Sequence, residues 1–356
     1  MKVLVTGGTG FLGRAVCQRL LTAGYAVRSL ARHPSRHLDP GIQQVTGDLR
    51  DTCRLRAAVH GCQAVVHTAA RASIWGARQD FHAINAQGTE RLLAVCRTQG
   101  VERFVHTSSA SVVFNGDHLR GADESQPYPR RFLAPYPWSK AIAERAVLAA
   151  NSPALATTAL RVHLIWGPGD PHFLPQLLKA AGSGRLSLIG DGTNLIDTVY
   201  IDNAADAHLA ALERLTYTAP PAGKAYFITQ GQPVTLEHMV CALLRAAGAQ
   251  VPSVRHIPHR PAAAAARMAE LLWRARRRTD APPLTRFLVA ELAHDHYFDI
   301  SAARRDLRYR PTTSIDAGLA RLADACHRQT ATHVLPTPLT GDAGSPSHTL
   351  STQEDR

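Results

Sequence analysis

The strongest constraint on this chain lies within its first thirteen residues. Lys2 to Thr6 is a short apolar strand, and Gly7-Gly8-Thr9-Gly10-Phe11-Leu12-Gly13 leads from it into a helical pattern that runs through Ala23. Backbone N–H groups at a helix N-terminus, left bare by glycine, favour an anion, because the helix dipole and the unpaired donors point the same way. Gly7 allows the tight turn out of the strand. Gly10 lets the backbone approach a pyrophosphate, and Gly13 permits close packing of the helix on the sheet. With Phe11 and Leu12 opening the helix, the loop predicts a dinucleotide site. Its spacing is GxxGxxG rather than GxGxxG.

The rest of the pattern agrees with such a start. Tyr25–Leu30, Ala64–His67 and Arg103–Thr107 read as strands, Thr157–Leu160 begins another, and Ala83–Gln99 reads as one long helix. Strands alternating with helices of this length predict an α/β fold of the Rossmann type, a doubly wound parallel sheet. The reading assigns 1–168 to that domain, with 197–230 returning to it. A smaller, mostly helical substrate lobe takes 169–196 and 231–328, and a Thr-, Pro- and Ser-rich tail over 329–356 is expected to be disordered.

Charge and cysteine content remove other classes. The formal charge is +12, but all except four of the 40 basic residues are arginine, and they are dispersed apart from Arg274-Ala275-Arg276-Arg277-Arg278. That skew points to base composition rather than to a nucleic-acid surface, so nucleic acid is not an expected partner. No stretch approaches the ~20 apolar residues of a spanning helix. The six cysteines form no CxxC pair, which fits buried thiols in a reducing cytoplasm. His60, His82, His106, His163 and His208 show no metal-ligand spacing and are read as surface or packing residues, so no metal is expected.

Two further groups bear on chemistry. The second strand ends in Leu30-Ala31-Arg32-His33, without the acid that binds the ribose 2′-hydroxyl of NAD. Arg32 can pair with a 2′-phosphate, which favours NADP(H) over NAD(H). Asp48 and Leu49, after the next strand, are placed to bracket an adenine, and Asp48 is equally a candidate helix N-cap. Tyr136-Pro137-Trp138-Ser139-Lys140 sets Tyr136 and Lys140 four apart, on one helix face. A free phenol has a pKa of ~10, and a neighbouring ammonium is expected to lower it and make proton exchange with a carbonyl feasible. Ser109, at the end of the strand carrying Thr107-Ser108-Ser109, can hydrogen-bond the reacting oxygen, with Ser108 structural.

These elements, with His67-Thr68-Ala69-Ala70, Asn85-Ala86-Gln87-Gly88-Thr89 and Tyr200-Ile201-Asp202-Asn203, resemble the extended short-chain dehydrogenases/reductases. Ala134 to Lys140, Ile165 to Asp170 and Ile189 to Asn194 are similar to the 3β-hydroxysteroid dehydrogenase branch. Trp75-Gly76, Ile196 to Ala205, Gly223 to Ile228 and Pro282 to Leu288 resemble its bacterial members that reduce 2-alkyl-3-oxoalkanoates in long-chain olefin biosynthesis. The resemblance implies that Tyr136 is the acid/base, Lys140 its partner and ribose ligand, and Ser109 the hydroxyl orienting the carbonyl. It also implies that Ala69 and Ala70 line the cofactor and that Asn85 is structural. Two departures stand out: Val162-His163 where members often carry a proline after the arginine, and Val113-Phe114-Asn115 where they carry tyrosine and glycine.

The implied reaction is NADPH-dependent reduction of a 2-alkyl-3-oxo acid. The alternatives are oxidation of a 3β-hydroxysteroid, epimerisation or dehydration of a sugar nucleotide, and a dinucleotide sensor without catalysis. The implied partners are a hydrophobic substrate and a second copy of the chain, paired through the helices near 83–99 and 138–150. Residues 262–278 are expected to be an amphipathic helix, either a core helix of the lobe with a solvated face or a docking element for a membrane surface or pathway enzyme.

Overall fold

The computed structural model describes residues 1–184 and 186–334. Its central sheet has seven parallel strands: β1 (Lys2–Thr6), β2 (Ala26–Ala31), β3 (Gln43–Thr46), β4 (Ala64–His67), β5 (Arg103–Ser109), β6 (Ala156–Val162) and β7 (Ala225–Ile228). They lie in the order β7-β6-β5-β4-β1-β2-β3, so the strand order reverses beside β1, at the end of which the glycine loop stands. This is the doubly wound Rossmann arrangement, in which ligands bind beyond the carboxyl ends of the strands at the reversal.

Period-two alternation builds a core on each face. Val3 and Val5 of β1 enter one cluster, with Val16 and Leu20 of α1 (Phe11–Thr22). Leu4 enters the other, with Leu55 of α2 (Thr52–Val59), Leu92 of α3 (Gln87–Thr98) and Val147 of α4 (Pro135–Ala149). The stretch expected as one helix over 83–99 is helical from Arg78, but it passes through a π turn at His82–Ala86 before α3. The turn holds Asn85, whose side chain bridges the loop at Arg71 and helix α4 at Ser139, and π turns collect where a helix must aim such a group.

Beyond the sheet come α5 (Phe173–Gly182), α6 (Ile201–Arg214), α7 (Leu236–Ala246), α8 (His259–Ala275), α9 (Arg286–Ala293), α10 (Ser301–Asp306) and α11 (Ile315–Val334). A second, small sheet joins Val234–Thr235, Leu195–Ile196, His296–Phe298 and Leu119–Ala122, tying four separate segments of the chain together. Helix α11 continues to Val334, past Gln329 where the tail was expected to start. The sequence offers no proline to stop it before Pro336. The remainder of the expected tail lies outside the described residues. Among the described residues no helix is long and apolar enough to cross a membrane.

One buried ion pair locks α4 to the sheet. Arg161 of β6 donates to Glu144 Oε1 at 2.9 Å, and the Tyr128 hydroxyl donates to the same oxygen at 2.7 Å. Glu144 is fully buried and Arg161 nearly so. Removing the carboxylate leaves a buried guanidinium without its counterion, so Glu144→Ala is expected to cost about 3–5 kcal/mol of stability in urea unfolding.

Candidate active site

The glycine loop is shaped by contacts that leave no room for side chains. Gly7 has φ +72°, and a Cβ there would stand 2.8 Å from the Ala69 Cα. A Cβ on Gly13 would stand 2.1 Å from the Gly7 carbonyl oxygen, and one on Gly8 would meet Ser29. The third glycine therefore packs α1 against its own loop, and Gly8, which the spacing argument passed over, is needed for the approach to β2. Gly10 caps α1 in extended conformation, its N–H donating to the Gly7 carbonyl at 2.9 Å.

A cavity of about 350 Å³ opens over this loop. Gly7, Gly10, Arg32, Asp48, Leu49, Ala69 and Ala70 all line it, joined by Thr9, Thr68, Arg71 and Ile84. Phe11, Leu12 and Gly13 form the first turn of α1, behind Gly10, and are not part of its lining. Arg32 is exposed at its rim. Asp48 is held below the usual carboxylate range, chiefly by its hydrogen bond from Arg50, with Arg32 contributing. The N-cap of α2 is Asp51, which accepts from the Cys53 and Arg54 N–H groups. Asp48 therefore does not cap the helix; it stands one turn too early and faces the cavity.

Behind the cavity, short polar links set the loops in register. Thr6 Oγ1 lies 2.6 Å from His67 Nδ1, and His67 Nε2 lies 2.9 Å from Thr89 Oγ1. Asn85 accepts from the Arg71 N–H at 2.7 Å and donates to Ser139 Oγ at 2.9 Å, and Ser139 in turn donates to the Tyr136 carbonyl at 2.9 Å. Asn85 thus couples the loop after β4 to the first turn of α4, the structural part that the resemblance implied.

The structure brings Tyr136, Ser109 and Lys140 together at the carboxyl end of β5. Tyr136, Lys140 and Glu144 follow one another by four residues along α4, so one face of the helix carries all three. The phenol stands beside the Ser109 hydroxyl, which pulls its pKa down. The Ser109 hydroxyl also lies 2.8 Å from Ser111 Oγ and accepts from the Ser111 N–H, capping a 3₁₀ turn at Ala110–Val113. Lys140 is buried and donates to the Thr107 carbonyl at 2.5 Å, with His106 Nε2 at 3.3 Å. His106 is held well below the ordinary imidazole value by burial and by Lys140, so it stays neutral and accepts.

The electrostatics differ from the expectation. Burial raises the Tyr136 phenol above its ordinary value, and only the Ser109 hydroxyl pulls it back. Lys140 does not lower it, because burial brings the ammonium itself down to about 7 and its nitrogen is occupied by the Thr107 carbonyl. Desolvation here outweighs the charge–charge effect inferred from spacing.

The two departures from the family pattern meet beside this site. Val162 is the register partner of Ser109 across β5 and β6, so His163 follows it at the strand end. His163 Nδ1 lies 2.6 Å from the Asp197 carbonyl, and burial lowers its pKa to about 4. Its ring packs edge-on against His296, 5.8 Å between centroids. His296 pairs with Glu291 at 3.3 Å and packs against Phe114 at 4.6 Å. His163, Glu291 and His296 place donor atoms within 4.8 Å of one another, a convergence that isolated histidines in a linear sequence do not reveal.

A second cavity of about 340 Å³ adjoins Arg71. Ile74, Trp75 and Leu133 form its apolar part, and Arg274, Arg277 and Arg278 its cationic part, next to Ala134 and Pro135 at the start of α4. Arg71 lines both cavities, and its buried Nε has no hydrogen-bond partner among the described residues.

Comparison with known proteins places the chain. The profile of the 3-beta hydroxysteroid dehydrogenase/isomerase family matches residues 4–259. A 2-alkyl-3-oxoalkanoate reductase of Stenotrophomonas maltophilia is 46% identical over 327 residues, 90% of this chain and 98% of that protein. A protein of the same name from Shewanella oneidensis is 42% identical, over 89% and 84%. A double mutant of dTDP-glucose 4,6-dehydratase from Streptomyces venezuelae, solved with NAD bound, superimposes with a TM-score of 0.73 at 27% identity, covering 93% of this chain and 98% of that one.

The lowered Lys140 value makes a prediction about stability. The folded chain loses this proton near pH 7, while the unfolded chain keeps it to ~10.4. Stability from this group therefore rises with pH between the two values. Unfolding of wild type and Lys140→Met, compared from about pH 6 to about pH 9, should show wild type gaining stability relative to the variant. Parallel curves would contradict the lowered value.

Proposed function

Because the chain belongs to the 3-beta hydroxysteroid dehydrogenase/isomerase family, we propose that it is the reductase that converts a 2-alkyl-3-oxoalkanoate to the 2-alkyl-3-hydroxyalkanoate with NADPH. The chain is an oxidoreductase of 3-oxo and 3-hydroxy groups. The observation that carries it is the juxtaposition of Tyr136, Ser109 and Lys140 at the carboxyl end of β5, in a chain whose glycine loop walls a cavity.

A bound nicotinamide dinucleotide supplies the hydride. The bare backbone around Gly7 and Gly10 fits its pyrophosphate, since a Cβ at Gly7 would already meet the facing Ala69 backbone. Arg32 at the rim pairs with a 2′-phosphate, and no acid ends β2 to favour NAD. Tyr136 donates its proton to the oxygen at C3. A phenol held above its ordinary pKa is fully protonated at neutral pH, which suits the acid role in reduction. Ser109 donates a second hydrogen bond to the same oxygen as charge develops. Lys140, one turn along the same helix face and anchored on the Thr107 carbonyl, would hold the ribose.

The second cavity supports a fatty acid substrate. Trp75, Ile74 and Leu133 suit an alkyl chain, and Arg277, which has no acidic partner among the described residues while Arg71, Arg274 and Arg278 pair with Asp80, Glu270 and Asp280, suits a carboxylate. Residues 169–196 and 231–328 form the lobe that covers the substrate. Helices α3 and α4 pack side by side and form the face through which two copies pair.

The test is formation of reduced cofactor, read near 340 nm, from NADP⁺ and a synthetic 2-alkyl-3-hydroxyalkanoic acid. Tyr136→Phe is expected to lower kcat by about a hundredfold to ten-thousandfold. Arg32→Ala is expected to raise KM for NADP⁺ about tenfold or more while leaving that for NAD⁺ unchanged, from loss of a charge-assisted contact. Turnover of a 3β-hydroxysteroid but not of the fatty acid would contradict the substrate assignment.

A further inference from the structure

Helix α8 does not pack as its composition suggests. Its buried side is made of small residues: Ala262 and Ala266 sit in a minor core with Ile189 and Val289 of α9. Its larger apolar residues face outward. Met268, Leu271 and Leu272 are 58%, 60% and 43% exposed. At 100° per residue, Ala264, Ala265, Met268, Leu271, Leu272 and Ala275 fall within an arc of about 120°, one continuous stripe. A core helix would turn that stripe inward.

The charge around the stripe is one-sided. Arg260, Arg267 and Arg274 recur every seven residues along one edge, and Arg276, Arg277 and Arg278 crowd the C-terminal end. The acids between 259 and 280 are Glu270 and Asp280. Glu270 is buried and bound by Arg286, with Arg274 nearby, and Asp280 pairs with Arg278. Arg267, Arg276 and Arg277 have no acidic partner among the described residues.

We propose that α8 is an interfacial helix that docks the protein on an anionic lipid surface, with Met268, Leu271 and Leu272 entering the acyl boundary and the arginines meeting the headgroups. An apolar stripe bracketed by unpaired arginines is the pattern such helices use. Charge selects lipid over a second copy, since a second copy would bring the same arginines against these. The same helix turns Glu270 and Arg274 toward the cavity beside Trp75, so a docked protein holds that cavity next to the membrane.

Membrane docking is independent of turnover and is read without it. The full chain is floated with vesicles of phosphatidylglycerol and phosphatidylcholine in equal parts, and with phosphatidylcholine alone. The expected result is binding to the anionic vesicles only, weakened by salt. Leu271→Gln with Leu272→Gln, and separately Arg267→Ala with Arg276→Ala, should each weaken partitioning about tenfold. All four positions are exposed, so the unfolding midpoint and dinucleotide binding should stay at wild-type values. No flotation, equal flotation with both vesicles, or variants that float like wild type would overturn the proposal. So would sedimentation showing that the leucine pair dissociates a dimer instead. Failure here leaves the reaction standing, and loss of the reaction leaves flotation standing.

Discussion

The site depends on one helix face being held against one strand. Tyr136, Lys140 and Glu144 stand in a column on α4, and the lowest of them is clamped to Arg161 of β6 out of contact with solvent. A buried ion pair of this kind adds little net stability, but it is unforgiving of displacement. That stiffness holds Lys140 on the Thr107 carbonyl and Tyr136 on Ser109. The neighbouring strand, β5, carries both Thr107 and Ser109, so the Lys140 and Tyr136 side chains meet their partners on one strand. Asn85 and Ser139 brace the first turn of the helix from the cofactor side.

Burial sets the chemistry of this column. It pushes the phenol up and the ammonium down, so at neutral pH the site holds a protonated acid above an amine that is only partly charged. This arrangement favours giving a proton to a carbonyl. Taking a proton from an alcohol calls for the opposite shift, which added charge beneath the phenol would supply. The direction of the reaction and the electrostatics of the column are therefore linked.

Much of this was legible in the sequence where chemistry is local. The glycine loop, the alternation of strands and helices, and the Tyr136–Lys140 spacing each depend on neighbours within a few residues. The long-range features were not. Glu291 and His296 reach His163 only through the small sheet that joins His296–Phe298 to Leu195–Ile196. Asp51 rather than Asp48 caps α2 because the helix starts one turn later than the strand spacing suggests. The sign of the Tyr136 shift depends on how deeply α4 is buried, which no spacing encodes. The amphipathic helix was visible near 262–278, but its apolar face proved to be the outer one, because alanines supply the contact with α9.

The most direct test of the account follows an isotope through the site. A 2-alkyl-3-hydroxyalkanoic acid carrying deuterium at C3 is incubated with NADP⁺, and the reduced cofactor is analysed by mass spectrometry. The account predicts a single deuterium in the nicotinamide ring per turnover with wild type and almost none with Tyr136→Phe under the same conditions. Reduced cofactor without label, or equal labelling by the two proteins, would contradict it.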